Sequence, residues 1–152
     1  MPLLHKRTWP LAIILCLLLP LYGCSSPPNT AQVMKVIDGD TIVIEGNYRV
    51  RYIGIDAPEI YPHLEAYGIE AWQANCHLVE GKRVRLERDV SETDIYGRLL
   101  RYVYADGTFV NAELVREGLA KAEAYPPDTK YQDYLAELEE QARRAGKGMW
   151  TK

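Results

Sequence analysis

Two acidic turns and two arginines are where this chain could do chemistry. Ile55-Asp56-Ala57-Pro58-Glu59 carries two carboxylates where a strand runs into a turn, and Val36-Ile37-Asp38-Gly39-Asp40-Thr41 adds another pair at an Asp-Gly turn between apolar runs. Two such turns facing each other at one end of a sheet supply carboxylate, carbonyl and water oxygens, the donors that Ca²⁺ takes. Arg51, five residues before Asp56 and expected on the same strand, and Arg98, just after Tyr96-Gly97, add two planar guanidinium forks. A cation beside arginines is equipment for phosphate chemistry. Loop solvation alone would explain acidic turns, because Asp and Gly favour turns. It would not explain Arg51, Glu59 and Arg98 in the same arrangement.

These side chains need a scaffold, and the chain patterns one. Gln32–Ile37, Thr41–Ile44 and Tyr48–Ile55 are rich in β-branched and aromatic residues and separated by turn signals, which predicts a three-stranded meander. Ile69, Trp72, Cys76 and Val79 recur at helical spacing before Gly81, which predicts a helix with Cys76 and Trp72 on its apolar face. Lys82–Arg88 and Leu99–Tyr104 alternate as two further strands, with Asp106-Gly107 as a turn. Val110, Leu114 and Val115 mark a short helix that ends at Gly118. Tyr131, Leu135, Leu138 and Ala142 mark a longer one, capped by Asp128 or Thr129 and stopped by Gly146. The result is mainly β with α: a five-stranded OB-fold barrel plus three helices. His63 and His77 have no His or Cys at zinc-ligand spacing and are read as structural or solvent-facing.

The 152 residues leave room for one domain, and the first part is not domain. His5-Lys6-Arg7 followed by the apolar run Leu11–Leu19 has the charge and length of an export signal, residues 1–23. Leu21-Tyr22-Gly23-Cys24-Ser25 resembles the lipobox of bacterial lipoproteins, which implies lipidation of Cys24 and a bacterial envelope location with the domain held at a membrane. Residues 24–31 then form a tether, and 32–152 form the domain. Only Cys76 remains within it, so no disulfide framework is available. Residues 1–23 hold two of the 18 Lys and Arg and none of the 21 acids, leaving the remainder at a formal charge of −5. That average opposes nucleic-acid binding, but Lys82, Arg83, Arg85, Arg88, Arg98 and Arg101 gather mid-chain while Glu137, Glu139 and Glu140 crowd the last helix.

Taken together, Val36–Thr41, Val50–Glu59, Asp94-Ile95-Tyr96-Gly97-Arg98, Tyr102–Gly107, Gly118-Leu119-Ala120-Lys121 and Gly148-Met149-Trp150 resemble staphylococcal nuclease and its thermonuclease relatives, from Val33 to Trp150. The resemblance implies a Ca²⁺-dependent phosphodiesterase that acts on single-stranded or denatured DNA and RNA, leaves 3′-phosphates and works as a monomer. It assigns Ca²⁺ to Asp40, Asp56 and the main-chain oxygen of Ala57, phosphate to Arg51 and Arg98, and the attacking water to Glu59. Tyr96 and Tyr125 would contact the nucleotide. The chain departs from the family in three places: Ala57 replaces a Thr, Ile60–Glu65 replaces a lysine-rich loop, and the first of two tyrosines near Tyr125 is missing. Two other classes compete, an inactive OB-fold module that binds single strands or a partner and an envelope lipoprotein that only binds Ca²⁺. Neither gives all of Arg51, Glu59 and Arg98 a task.

Overall fold

The computed structural model describes residues 27–151. The expected signal peptide and Cys24 lie outside the described residues. Strands β1 (Thr30–Val36), β2 (Thr41–Ile44) and β3 (Tyr48–Tyr52) form the expected antiparallel meander, with Val36 opposite Ile42 and Ile42 opposite Val50. The ladder begins earlier than the expected tether allows. Thr30 and Ala31 already pair with Arg85 and Val84, and Ala31 is completely buried, so its methyl belongs to the core.

Beyond β3 the chain departs from a single long strand. It turns at Ile53-Gly54, where Gly54 takes φ +78°, and restarts as the two-residue β4 (Ile55–Asp56). A side chain at φ > 0 is strained, so glycine permits the break. β4 then pairs with β8 (Lys121–Ala122) rather than continuing in the main sheet. Arg51 and Asp56 are therefore not on one strand, and the turn folds Asp56 back toward Arg51.

Helix α1 (Gly68–Val79) leads to β5 (Arg83–Glu87), β6 (Leu99–Ala105) and the short β7 (Thr108–Phe109), followed by α2 (Val110–Arg116) and α3 (Gln132–Ala145). The main sheet runs β3-β2-β1-β5-β6-β7, and a parallel β3–β6 pairing closes five of these strands into a barrel. Full closure removes the free strand edges, and the alternate side chains Ile42, Ile44, Val50, Val84 and Val103 fill the interior with no exposed area. Each such side chain contributes about 1.5–3 kcal/mol on burial.

Three local expectations are corrected. The buried face of α1 is Gly68, Ala71, Asn75 and Val79, whereas Ile69 is exposed and Trp72 and Cys76 lie half-buried at the flank. Apolar spacing pointed one residue round the helix because the inward face carries a glycine and an asparagine. Second, neither Asp128 nor Thr129 caps α3, whose N-cap is Tyr131 with no side-chain cap bond. Asp128 is instead buried and bonded to another loop. Third, the mid-chain basic residues do not form an open cationic field. Lys82 pairs with Asp106, Arg83 with Glu45, Arg85 with Glu87, and Arg88 and Arg101 with Glu92. His63 and His77 are exposed, as expected.

Candidate functional site

Arg51 is the hub. It leaves β3 only 9% exposed, and its Nη1 donates to the carbonyls of Tyr52 and Ile55 at 2.9 and 2.8 Å. Nη1 also lies 3.1 Å from Oδ2 of Asp40, while Nη2 donates to Oδ1 of Asp56 at 3.1 Å. The two acidic turns thus meet at one guanidinium. Asp40 is 4% exposed, its Oδ2 accepts the Ala57 N–H at 2.7 Å and its Oδ1 accepts the Thr41 hydroxyl at 3.1 Å. Burial pushes the Asp40 carboxyl up, against the attraction of Arg51 and with the repulsion of Asp38 and Asp56.

Close packing makes this meeting possible. A Cβ at Gly39 would sit 2.5 Å from the Ala57 methyl and 2.8 Å from that of Ala71, so only glycine lets the Asp38–Asp40 turn approach both the Ala57 turn and α1. Two buried asparagines brace the neighbouring backbone, Asn75 at the Asp38 turn and Asn111 at the Ile53-Gly54 turn before β4. Asn75 accepts the Tyr52 hydroxyl and donates to the Asp38 carbonyl, both at 2.9 Å. Asn111 donates to the Ile53 carbonyl at 2.8 Å and accepts the Val103 N–H at 2.9 Å. Asn75 had a sequence signal, since it interrupts an apolar helix four residues from both Ala71 and Val79.

Glu59 follows Pro58 at an exposed position. Partial burial and then Asp38 push its carboxyl pKa up, Asp56 and Glu65 add to this, and Arg51 opposes it. The carboxylate therefore shares the electrostatic surroundings of the Asp38, Arg51 and Asp56 cluster.

Arg98 arrives from the other side. The β3–β6 register sets Leu99 against Val50 and Leu100 against Arg51, which carries the loop before β6 to the Arg51 end of the barrel. Asp94 shapes that loop: its Oδ1 accepts the N–H groups of Tyr96 and Arg98 at 2.9 Å, and its Oδ2 accepts Nε of Arg98 at 2.6 Å. Burial works against the Asp94 charge, but these hydrogen bonds outweigh it and hold the carboxyl below its ordinary value. Gripping Arg98 at Nε leaves the two Nη groups as the part of the fork that can reach an anion.

Between these parts lies a cavity of about 560 Å³, lined by Arg51, Asp94, Tyr96, Arg98, Tyr125 and Asp128 among others. Tyr96 is 78% exposed at its rim with its ring centroid 5.5 Å from Cζ of Arg98, and Tyr125 is 46% exposed. Burial, Glu123, Asp56 and Asp40 raise the Tyr125 hydroxyl pKa while Arg51 lowers it, as suits a phenol facing the acidic turns. The structure thus brings Arg51, Arg98, Tyr96 and Tyr125 to one cavity, and Asp40 and Asp56 to Arg51.

The donors fit a hard cation. Asp40 and Asp56 meet the same guanidinium and offer oxygen donors only, and no third carboxylate, histidine or cysteine joins them in a ready-made cluster among the described residues. A backbone carbonyl, such as that of Ala57 next to Asp56, and water would complete the shell, as Ca²⁺ accepts.

A family model described as "Staphylococcal nuclease homologue" matches residues 49–152. A thermonuclease of Staphylococcus hyicus is 38% identical over 129 residues, 81% of this chain and 76% of its own length. An endonuclease of Bacillus subtilis, YncB, is 40% identical over 126 residues, 78% of this chain and 60% of the relative. An uncharacterized endonuclease of Haemophilus influenzae is 35% identical over 146 residues, covering 93% of this chain and 77% of the relative.

Proposed function

Because this chain belongs to the family of staphylococcal nuclease homologues, we propose that it is a Ca²⁺-dependent nuclease that hydrolyses single-stranded or denatured DNA and RNA to 3′-phosphate products. The observation that carries this reading is the convergence of Arg51 and Arg98 on one cavity beside the Asp40 and Asp56 carboxylates.

The residues divide the work. Asp40, Asp56 and the Ala57 carbonyl would hold Ca²⁺, which when bound neutralises charge on the phosphoryl oxygens. Arg51 and Arg98 grip the phosphate and stabilise the extra negative charge that develops as water attacks in line. Glu59 orients the water and accepts its proton, and the raised carboxyl pKa suits a general base. Tyr96 and Tyr125 offer aromatic faces to the flanking nucleotide, which favours unpaired strands whose bases are free to stack.

Residues 1–23 act as an export signal, lipid on Cys24 anchors the domain to a bacterial envelope membrane, and residues 24–31 include the tether. Among the described residues no helix is long and apolar enough to cross a membrane. The domain works there as a monomer.

The test is hydrolysis of heat-denatured DNA and of RNA by residues 24–152, with Ca²⁺ and with a chelator. Cleavage that needs Ca²⁺ and leaves 3′-phosphate ends is expected. Full activity in chelator would refute the metal assignment, and single-strand binding without cleavage would identify an inactive OB-fold module.

A further inference from the structure

The cavity has two walls from distant parts of the chain, and a buried carboxylate joins them. One wall is the loop of residues 88–98, which presents Tyr96 and Arg98; the other is the segment 125–131, which presents Tyr125. Asp128, 3% exposed, accepts the N–H groups of Val90 and Ser91 on Oδ1 at 2.9 and 2.8 Å. Its own N–H donates to the Tyr125 carbonyl at 2.7 Å. The tie is reciprocal, because Asp89 Oδ2 of the first wall accepts the Lys130 N–H of the second at 2.9 Å. Behind the loop, Arg101 bonds the carbonyl and the carboxylate of Glu92, fixing that wall to β6.

We propose that Asp128 is a positioning residue whose clasp on Val90 and Ser91 sets the width of the cavity, so that nucleotide affinity and the alignment of Arg98 with the phosphate depend on it. It acts through the backbone of the opposing wall rather than on the reacting atoms. Three arguments support this. A carboxylate with two backbone N–H donors on one oxygen is a stiff junction, since charged acceptors make the stronger hydrogen bonds. Without it, residues 88–98 would keep Asp94 and Arg101 as internal braces but lose this link to the Tyr125 wall. Finally, a burial this complete is unusual for an aspartate, and the Val90 and Ser91 N–H groups supply the hydrogen bonds that a buried carboxyl needs.

The proposal rests on the nuclease reading, and its test separates the two. Amide hydrogen exchange at Val90 and Ser91 reports the clasp without reference to activity. In the wild type, adding Ca²⁺ with a non-hydrolysable nucleoside bisphosphate is expected to slow exchange at both amides, because coupling between site and clasp is reciprocal. Unchanged exchange on saturation would overturn the proposal. Asp128→Ala is expected to open both amides, weaken bisphosphate binding roughly tenfold and lower kcat by up to a hundredfold, the scale of a small misplacement of a catalytic group. Asp128→Asn keeps an acceptor oxygen in the same place and is expected to restore most of both. Open amides with binding and kcat within twofold of wild type would make Asp128 a structural residue only. Equal damage in the Asn and Ala variants would overturn it, because the position of the acceptor would then not be what matters. If Asp128→Ala does not fold, the wild-type exchange measurement and Asp128→Asn decide alone. A wild-type domain that never cleaves nucleic acid would count against the nuclease reading, while exchange at Val90 and Ser91 still judges the clasp.

Discussion

Arg51→Met removes a guanidinium that is 9% exposed and leaves behind the Tyr52 and Ile55 carbonyls, the buried Asp40 carboxylate and Asp56. The Asp56 pair counts for little, since that carboxylate is 48% exposed. Asp40 is different: breaking a buried pair by deleting one partner costs up to about 3–5 kcal/mol, and the Asp40 carboxyl, already pushed up by burial, escapes part of that cost only by taking up a proton. Against an ordinary domain stability of about 5–15 kcal/mol, that loss would dominate a urea titration. Ca²⁺ is expected to restore part of it, about 2.7 kcal/mol at a hundred times its Kd, since the cation takes over the charge on Asp40 and Asp56. Arg98→Lys is the control. Arg98 is half-buried with Asp94 as its side-chain partner, so stability is expected to change by no more than about 1 kcal/mol. Turnover is expected to fall on the order of a hundredfold, because an ammonium cannot reproduce the fork. The measurement is urea unfolding of all three proteins, with Ca²⁺ and with chelator. Arg51→Met within about 1 kcal/mol of wild type in chelator would refute the reasoning that Arg51 is the hub holding the two turns together.

Three shorter predictions concern other residues of the domain. Glu59→Gln is expected to slow cleavage by about 10² to 10⁴ while Ca²⁺-dependent binding of a non-hydrolysable nucleotide persists; single-turnover cleavage within a few-fold of wild type would remove Glu59 from the water. Gly39→Ala places a methyl 2.5 Å from Ala57 and 2.8 Å from Ala71, and overpacking of this kind costs about 1–3 kcal/mol; calorimetry would read it as a lower Tm together with weaker Ca²⁺ binding. Burial disfavours the Glu87 charge, but hydrogen bonds from Lys130, Arg85 and Tyr131 outweigh it and lower the pKa below the ordinary 4.5. Its stabilisation is therefore present above pH 4.5 and lost as pH falls through the folded-state value. Glu87→Gln is expected to be less stable than wild type near pH 7, with the gap closing on acidification.

Much of the candidate site was legible in residue types and spacing because its motifs are local. A turn sequence such as Asp38-Gly39-Asp40 follows from backbone preferences, and the alternation in Arg83–Glu87 follows from the two-residue period of a strand. The family resemblance rests on the same short motifs. What the sequence by itself could not determine are distances between segments and the direction of a polar group with several available partners. Val50–Ile55 has the composition of one strand, and only the pairing of β4 with β8, together with the backbone of Gly54, breaks it and swings Asp56 onto Arg51. Asp128 stands where a helix cap would stand, yet its hydrogen bonds go to Val90 and Ser91, 38 and 37 residues away. Within the basic run Lys82–Arg101, Arg85 and Arg88 find Glu87 and Glu92 close by in sequence, but Lys82 meets Asp106, Arg83 meets Glu45 and Arg101 meets Glu92 only through sheet register and loop closure. Local preference acts over a few residues, whereas barrel closure through the β3–β6 pair decides which distant charges meet.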